Sequence, residues 1–224
     1  MTHEELLKTL YDETLVGNAP RVLELTQEGL AAGLGPETLL FDALIPSLEE
    51  VGARFERGDF FVPEMLIAGR AMSGALNLLR PLLAETGAET VGTFLMGTVK
   101  GDVHDIGKNL VDIMLEGAGF HVIDLGVQVS PEKFIDAIVE HKPDIVGFSA
   151  FLTTTMPMFK ANMNALEKAG LRDKVIVMVG GAPVTQEYAD AVGADGYASD
   201  ASTAVRLAKE LISKRRKANA AVPV

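Results

Sequence analysis

Val91-Gly92-Thr93-Phe94-Leu95-Met96, then Gly101-Asp102-Val103-His104-Asp105-Ile106-Gly107-Lys108-Asn109, then the amphipathic run Leu110 to Ala118: this stretch decides how the second half of the chain folds. The apolar run predicts a buried strand over 91–96 and the periodic run a helix over about 105–118. The loop between them puts an imidazole and its polar neighbours at the carboxyl end of a strand, where open α/β sheets bind their ligands. A neutral imidazole there can hold a metal through one ring nitrogen while its other N–H donates to a carboxylate. Asp102, two residues earlier, is a natural acceptor. Taken alone, an Asp-x-His is equally a turn histidine that bonds its own loop. Gly107-Lys108 also brushes the phosphate-loop pattern. Asp102 stands at its first glycine position and Asn109 at its Ser/Thr position, so a nucleotide cradle is not expected.

Working outward, further apolar runs fall at His121–Leu125, Asp144–Ala150, Lys174–Val179 and, weakly, Gly196–Ala198. Amphipathic stretches over about 131–141, 155–169, 185–192 and 201–216 separate or follow them. Five βα repeats predict a doubly wound parallel sheet of flavodoxin or Rossmann type, with strand order 2-1-3-4-5. Its switch point lies between the first and third strands. His104 follows strand one, Ser149 ends strand three and Gly180-Gly181 ends strand four. Singly these are a turn residue, a cap and a tight turn; together they converge on one crevice, and the glycines suit close approach of a bulky ligand.

From His3 to about Gly87 the pattern reads as helix throughout, in segments at roughly 3–16, 19–33, 37–57 and 63–86. Asn18 is placed to cap the second, with Pro20 in its first turn, and Gly33 to Pro36 separates the second from the third. Leu40, Ala43, Leu44, Leu48, Val51 and Phe55 share one face, as do Met65, Ala68, Met72, Ala75 and Leu79. Pro46 and Pro81 are expected to kink their helices or cost them a turn. Short connections predict an antiparallel four-helix bundle. In the loop Arg57 to Pro63, the adjacent Phe60 and Phe61 either plug the end of the bundle or form an apolar lid. Glu85 to Thr90 reads as the linker.

The composition narrows the partners. The 224 residues carry 20 Lys plus Arg against 31 Asp plus Glu, a net charge of −11, which argues against nucleic acid as a general partner. Lys214-Arg215-Arg216-Lys217 reads as the solvated end of the last helix. There is no cysteine, which excludes disulfides, thiolate zinc sites and protein-held iron–sulfur clusters. The first residues lack the basic and apolar regions of a signal peptide, and no apolar run approaches the roughly 18 residues that a membrane span requires. A cytoplasmic protein with no membrane contact is expected.

Asp102-x-His104-x-x-Gly107, Ser149-x-Phe151 after an interval of 41 residues, and Gly180-Gly181 after a further 28 resemble the signature of cobalamin-binding domains. The family usually has leucine where this chain has Phe151. The helical segment is similar to the cap that precedes that domain in methionine synthase and in methyltransferase corrinoid proteins. The resemblance implies domains at 1–88 (helical cap) and 89–217 (cobalamin-binding α/β domain), with 218–224 a disordered tail. It implies cobalamin as cofactor, with His104 as lower axial ligand to cobalt in place of the cofactor's benzimidazole (base-off, His-on). Asp102 would accept the other imidazole N–H, and Ser149 would hydrogen-bond Asp102. Asp105, Ile106, Gly107, Phe151, Thr153, Gly180 and Gly181 would complete the cofactor site around the nucleotide tail. Phe55, Val62 and Met65 would lie over the reactive face, which favours the lid reading of that loop.

By the same resemblance the chain is a methyl carrier cycling between cobalt(I) and methyl-cobalt(III), rather than a complete enzyme. Its implied partners are a substrate-specific methyltransferase, a second methyltransferase with a tetrahydrofolate or thiol acceptor, and a reductive activase. The alternatives are a cobalamin-dependent sensor, which generally carries a DNA-binding domain, a mutase subunit, for which no lid bundle is expected, and a flavodoxin-like domain without cofactor.

Overall fold

Thr2 starts the first helix, α1 (His3–Leu15), with a capping box: its hydroxyl accepts from Glu5 N at 3.2 Å, and the Glu5 carboxylate accepts from Thr2 N at 2.8 Å. Two of the N–H groups left over at the helix start are thereby satisfied. In α2 (Ala19–Ala31) Pro20 occupies the first turn, but Asn18 makes no capping bond; its amide donates to Glu13 at 2.7 Å. The structure, a computed structural model, describes residues 1–86 and 90–220.

The helix expected over 37–57 is one rod in three pieces: α3 (Pro36–Leu39), a π-helical turn (Leu40–Leu44) and α4 (Ile45–Arg57). Pro46 explains the break. It has no N–H to give, and its ring would strike the carbonyl four residues back in a regular α-helix. A widened turn just ahead of it removes the clash without ending the rod. Gly58, at φ +78°, closes α4 in the left-handed conformation. The fourth segment, α5 (Val62–Thr86), keeps Pro81 inside it unbroken. α1 packs on α2 and α4, and α5 packs on the same two. Leu10, Val22, Leu25, Leu44, Val51, Met65, Met72 and Leu79 fill the space between them, all fully buried.

The sheet is all parallel: β1 (Thr93–Thr98), β2 (His121–Asp124), β3 (Ile145–Ser149), β4 (Ile176–Gly180) and β5 (Gly196–Ala198), in the order β2-β1-β3-β4-β5. The expected topology and switch point are present. β1 lies two residues later than its apolar run. Its pairing starts at Thr93 opposite His121 and ends at Thr98 opposite Ser149. Gly97 and Thr98 belong to the strand for reasons that hydropathy does not report. A Cβ on Gly97 would sit 2.8 Å from the Phe134 ring, and the buried Thr98 hydroxyl donates to His104 O at 3.0 Å. β4 likewise starts late, because Arg172–Lys174 forms a 3₁₀ turn.

The crossover helices are α6 (Ile106–Gly117), α7 (Pro131–His141), α8 (Pro157–Lys168) and α9 (Gln186–Val192), with α10 (Ala201–Ala220) last. Leu95, Val146, Phe148, Val177 and Val179 of the sheet meet Phe134, Phe159 and Met163 of the helices in one cluster. The tail expected over 218–224 is helical as far as Ala220, because nothing breaks α10 there; residues 221–224 lie outside the described residues. The basic tetrad near its end is largely employed within the fold. Lys214 pairs with Glu210 at 2.6 Å, Arg215 donates to the carbonyls of Asp173 and Lys174, and Arg216 donates to Val91 O at 3.0 Å.

Contacts divide the chain into two compact units, Met1–Thr90 with Glu116–Gly119, and Val91–Leu115 with Phe120–Val224. Part of the expected linker, residues 87–89, lies outside the described residues.

Candidate functional site

Thr98, Ser149, Gly180 and Ala198 stand in one row across the carboxyl end of the sheet. Just beyond it, the loop from β1 to α6 is pinned by its own backbone. Asp102 N donates to Val99 O at 3.1 Å, and Gln128 N donates to Asp102 O at 3.1 Å. Asp102 is wholly buried, and each of its carboxylate oxygens is engaged. Oδ1 accepts from His104 N at 3.1 Å and from His104 Nδ1 at 2.7 Å. Oδ2 accepts from Phe151 N at 2.8 Å, Leu152 N at 3.2 Å and the Thr155 hydroxyl at 2.7 Å.

Burial alone would raise the Asp102 pKa. The Thr155 hydroxyl, the His104 imidazole and N–H, and the Phe151 N–H outweigh it and hold the carboxyl well below the usual range. Asp102 is therefore an acceptor only, so the proton of the shared bond sits on Nδ1, and Nε2 is the ring nitrogen turned away from the carboxylate. The side chain of His104 is 43% exposed.

A buried carboxylate that ties two loops together also affects stability. Asp102→Asn puts an NH₂ group against N–H donors and is expected to cost about 2–3 kcal/mol. Because the folded pKa lies below the unfolded one, near 3.9, this stabilisation is complete above the unfolded value and is lost as pH falls toward the folded one. Urea unfolding at neutral pH and near pH 3 should show the gap between wild type and variant closing in acid.

The sequence-predicted residues are disposed as follows. Asp105 is half-buried and its carbonyl accepts from Asn109 N at 2.7 Å, starting α6. Ile106 and Gly107 are exposed in the first turn of that helix, and a Cβ on Gly107 would meet nothing within 4 Å. Phe151 stacks on the His104 ring, with centroids 4.4 Å apart and planes inclined by 27°. Thr153 is exposed on the same turn, while Gly180, in the row, and Gly181, just past it, are half-buried. One expectation is corrected: Ser149 does not donate to Asp102. The turn over residues 151–156 folds back so that Thr155 takes that place, while Ser149 O accepts from Val99 N at 3.0 Å.

Sequence reasoning missed Thr155, Val103 and Leu152. Val103, Ile106, Phe151 and Leu152 are all exposed large apolar residues, and they lie within three residues of His104 or of the Phe151 that stacks on it. Exposed apolar side chains flanking an Asp-x-His were a readable signal; the special role of Thr155 was not. Lys108 is 2% exposed and its ammonium is saturated by Asp112 (2.8 Å), Asp124 (2.7 Å) and Asn109 (2.8 Å). Burial lowers its pKa, but the Asp112 and Asp124 carboxylates more than restore it. No donor of Lys108 is left for a phosphate.

In the helical unit, Phe55 and Val62 are half-buried and Met65 is fully buried in the bundle. Met65 is therefore a core residue in this structure and not an open lid surface. Phe60 lies against Arg54, whose guanidinium carbon is 5.1 Å from the ring centroid. Phe61 is 65% exposed, so the plug reading fits Phe60 and not Phe61.

Among the described residues no three His, Asp or Glu side chains cluster as a metal site. A metal at His104 would thus rely on ligands that a cofactor brings with it. Two known families match the chain. Residues 92–206 and residues 6–80 each match a family described as B12 binding domain. The chain is 42% identical over 214 residues to the dimethylamine corrinoid protein of Methanosarcina barkeri, covering 95% of this chain and all of that one.

The chain belongs to the corrinoid proteins.

A trimethylamine corrinoid protein of the same organism is 41% identical over 192 residues, or 85% of this chain and 88% of that one. A crystal structure of the methanol:cobalamin methyltransferase complex of M. barkeri contains a chain that superposes with a TM-score of 0.83 at 31% identity, covering 93% of this corrinoid protein and 80% of that chain. The residues present fit a corrinoid. The donor set is a single imidazole with Nε2 free, the two loops around it carry exposed apolar side chains to meet a broad macrocycle, and Gly107 leaves open space at the first turn of α6. The corrinoid is the cofactor of this protein, and its role is that of a methyl carrier.

Proposed function

We propose that this corrinoid protein holds cobalamin, or a related corrinoid, with His104 Nε2 as lower axial ligand, and carries a methyl group away from a methylated amine. A substrate-specific methyltransferase would deliver that methyl group, and a second methyltransferase, with a tetrahydrofolate or thiol acceptor, would remove it. The observation that carries the reading is the His104–Asp102 pair: Nδ1 fixed at 2.7 Å to a buried carboxylate, with the opposite nitrogen left clear. The amine is favoured over methanol because the amine relatives are about 42% identical to this chain, against 31% for the methanol system.

When bound, the corrinoid supplies a cobalt centre that accepts and gives up the methyl group; the protein supplies ligation, shielding and docking. Asp102 orients the imidazole and raises its donor strength. Val103, Ile106, Phe151 and Leu152 seat the apolar ring, and Gly107, Ser149, Thr153, Gly180 and Gly181 line the slot for the nucleotide tail. With no cysteine to hold an iron–sulfur cluster, rescue of over-oxidised cofactor falls to a separate reductive activase. Among the described residues no helix is long and apolar enough to cross a membrane.

The test is reconstitution with hydroxocobalamin, gel filtration, reduction, and incubation with dimethylamine or methanol and the methyltransferase specific for each. We expect retained cobalamin that is methylated from the amine. Failure to retain cobalamin would sink the cofactor assignment for this site, and methylation from methanol alone would sink the amine.

A further inference from the structure

Two non-glycine residues among those described have positive φ, and the element around it accounts for only one of them. Lys142, at φ +48°, is the left-handed cap that ends α7. Gln128, at φ +54°, lies in the loop between β2 and α7. A left-handed backbone is costly for a residue with a Cβ, and asparagine, aspartate and histidine are the types that adopt it most readily. The backbone of the loop is fully employed. Gln128 N donates to Asp102 O at 3.1 Å. The next residue, the buried Val129, donates to Thr98 O at 2.9 Å and bridges to Val99. These bonds fix the turn, and a glycine at 128 would make every one of them without strain. The side chain is therefore the part that the fold does not explain. It is exposed, and its amide has no partner among the described residues.

The sheet sets where that amide stands. β1 lies between β2 and β3, so the loops that follow β2 and β3 flank the His104 loop on opposite sides. Both are fastened to the same residue, the β3 loop through Phe151 N on the Asp102 carboxylate and the β2 loop through Gln128 N on the Asp102 carbonyl. The β3 side offers apolar surface in Phe151 and Leu152. The β2 side offers an amide. A corrin ring has apolar faces but carries primary amides around its rim, and its propionamides project toward the face that the lower ligand approaches. A glutamine amide donates and accepts at once, which complements such a group; an ammonium or a carboxylate would match only half of it.

We propose that Gln128 is a cofactor-binding residue whose side-chain amide pairs with one propionamide of the corrin rim, so that the site distinguishes a corrinoid bearing that amide from one that has lost it. The proposal rests on the reading of His104 as the lower ligand. The strained backbone at 128 is held by its bonds to the β1 loop and serves to place the amide beside the ring.

The experiment titrates the cofactor-free full chain with aquacobalamin and with cobalamins in which one rim propionamide at a time is converted to its methyl ester. The visible spectrum reports binding and axial imidazole. Wild type is compared with Gln128→Ala and Gln128→Gly, and the melting temperature of each cofactor-free protein is recorded. Loss of the amide pair predicts roughly fivefold weaker binding of intact cobalamin by both variants. Wild type should bind one ester roughly fivefold more weakly than cobalamin, and the variants should not discriminate against that ester, because each change removes the same bond. Alanine leaves the backbone cost in place, so its melting temperature should match wild type. If it falls instead, Gln128→Gly, which relieves the strain, is judged by the same titrations. Wild-type affinity for cobalamin in both variants would overturn the proposal, as would discrimination against an ester that the variants retain in full. Wild type that binds cobalamin with axial imidazole while the variants match it throughout would refute this contact alone. Wild type that binds no cobalamin would refute the His104 site and the contact with it.

Discussion

His104→Ala will bind cobalamin at least roughly 100-fold more weakly than wild type, since even loss of a residue that only supports a metal ligand costs 10–100-fold. The cobalamin that remains bound will lack the absorption and nitrogen coupling of an axial imidazole. The effect on stability is smaller. Deleting the ring removes one bond to the Asp102 carboxylate, but that carboxylate keeps four donors: His104 N, Phe151 N, Leu152 N and the Thr155 hydroxyl. A stability loss of about 1–2 kcal/mol is therefore expected, small enough for the variant to be purified folded. The visible spectrum after gel filtration is the direct check. Unchanged retention and an unchanged spectrum would mean that the imidazole ligates nothing. Exogenous imidazole, supplied at millimolar concentration, should restore part of the axial signature by filling the space that the missing ring leaves.

Gly181→Ala has a different profile, with its large effect on stability. Gly181 has φ +130°, and a Cβ there would lie 1.8 Å from Ala150 O. No rotamer relieves that contact, because the backbone fixes the Cβ position and its partner is a backbone carbonyl. Ala150 N in turn donates to Gly180 O at 3.2 Å, so moving residue 181 pulls on the end of β3, where Ser149 and Ala150 lie. Backbone strain combined with a displaced strand end is expected to cost on the order of 4 kcal/mol or more, lowering the melting temperature by roughly 10–20 °C. Thermal unfolding followed by circular dichroism would register it at once. A loss below about 1 kcal/mol would show that the turn relaxes freely.

Much of this was legible in the sequence, because strand-and-helix periodicity and chain topology are encoded locally. The five apolar runs and the helices between them sufficed for the order β2-β1-β3-β4-β5 and hence for a crevice holding His104, Ser149 and Gly180-Gly181. What stayed hidden depends on contacts between distant residues. Gly97 and Thr98 belong to β1 because of Phe134 and the His104 carbonyl, which no hydropathy window contains. Pro46 announced a disturbance but not its form, since a kink, a lost turn and a π turn all relieve the same clash. Thr155 could not be told from Thr153 and Thr154 until the turn over 151–156 was seen to bring one of the three over Asp102. Met65 shares its periodicity with Met72 and Leu79, and that apolar face is the bundle core.

The bond from Arg216 to Val91 O has a consequence for the architecture of the sheet unit. Val91 leads into β1, a strand inside the sheet, while Arg216 lies on the last helix, 125 residues later. The entry to β1 and the last helix are therefore fastened to each other across nearly the whole length of the unit. The same closure delays its completion during synthesis, because the interior strand made first gains its last fastening only when the final helix has left the ribosome.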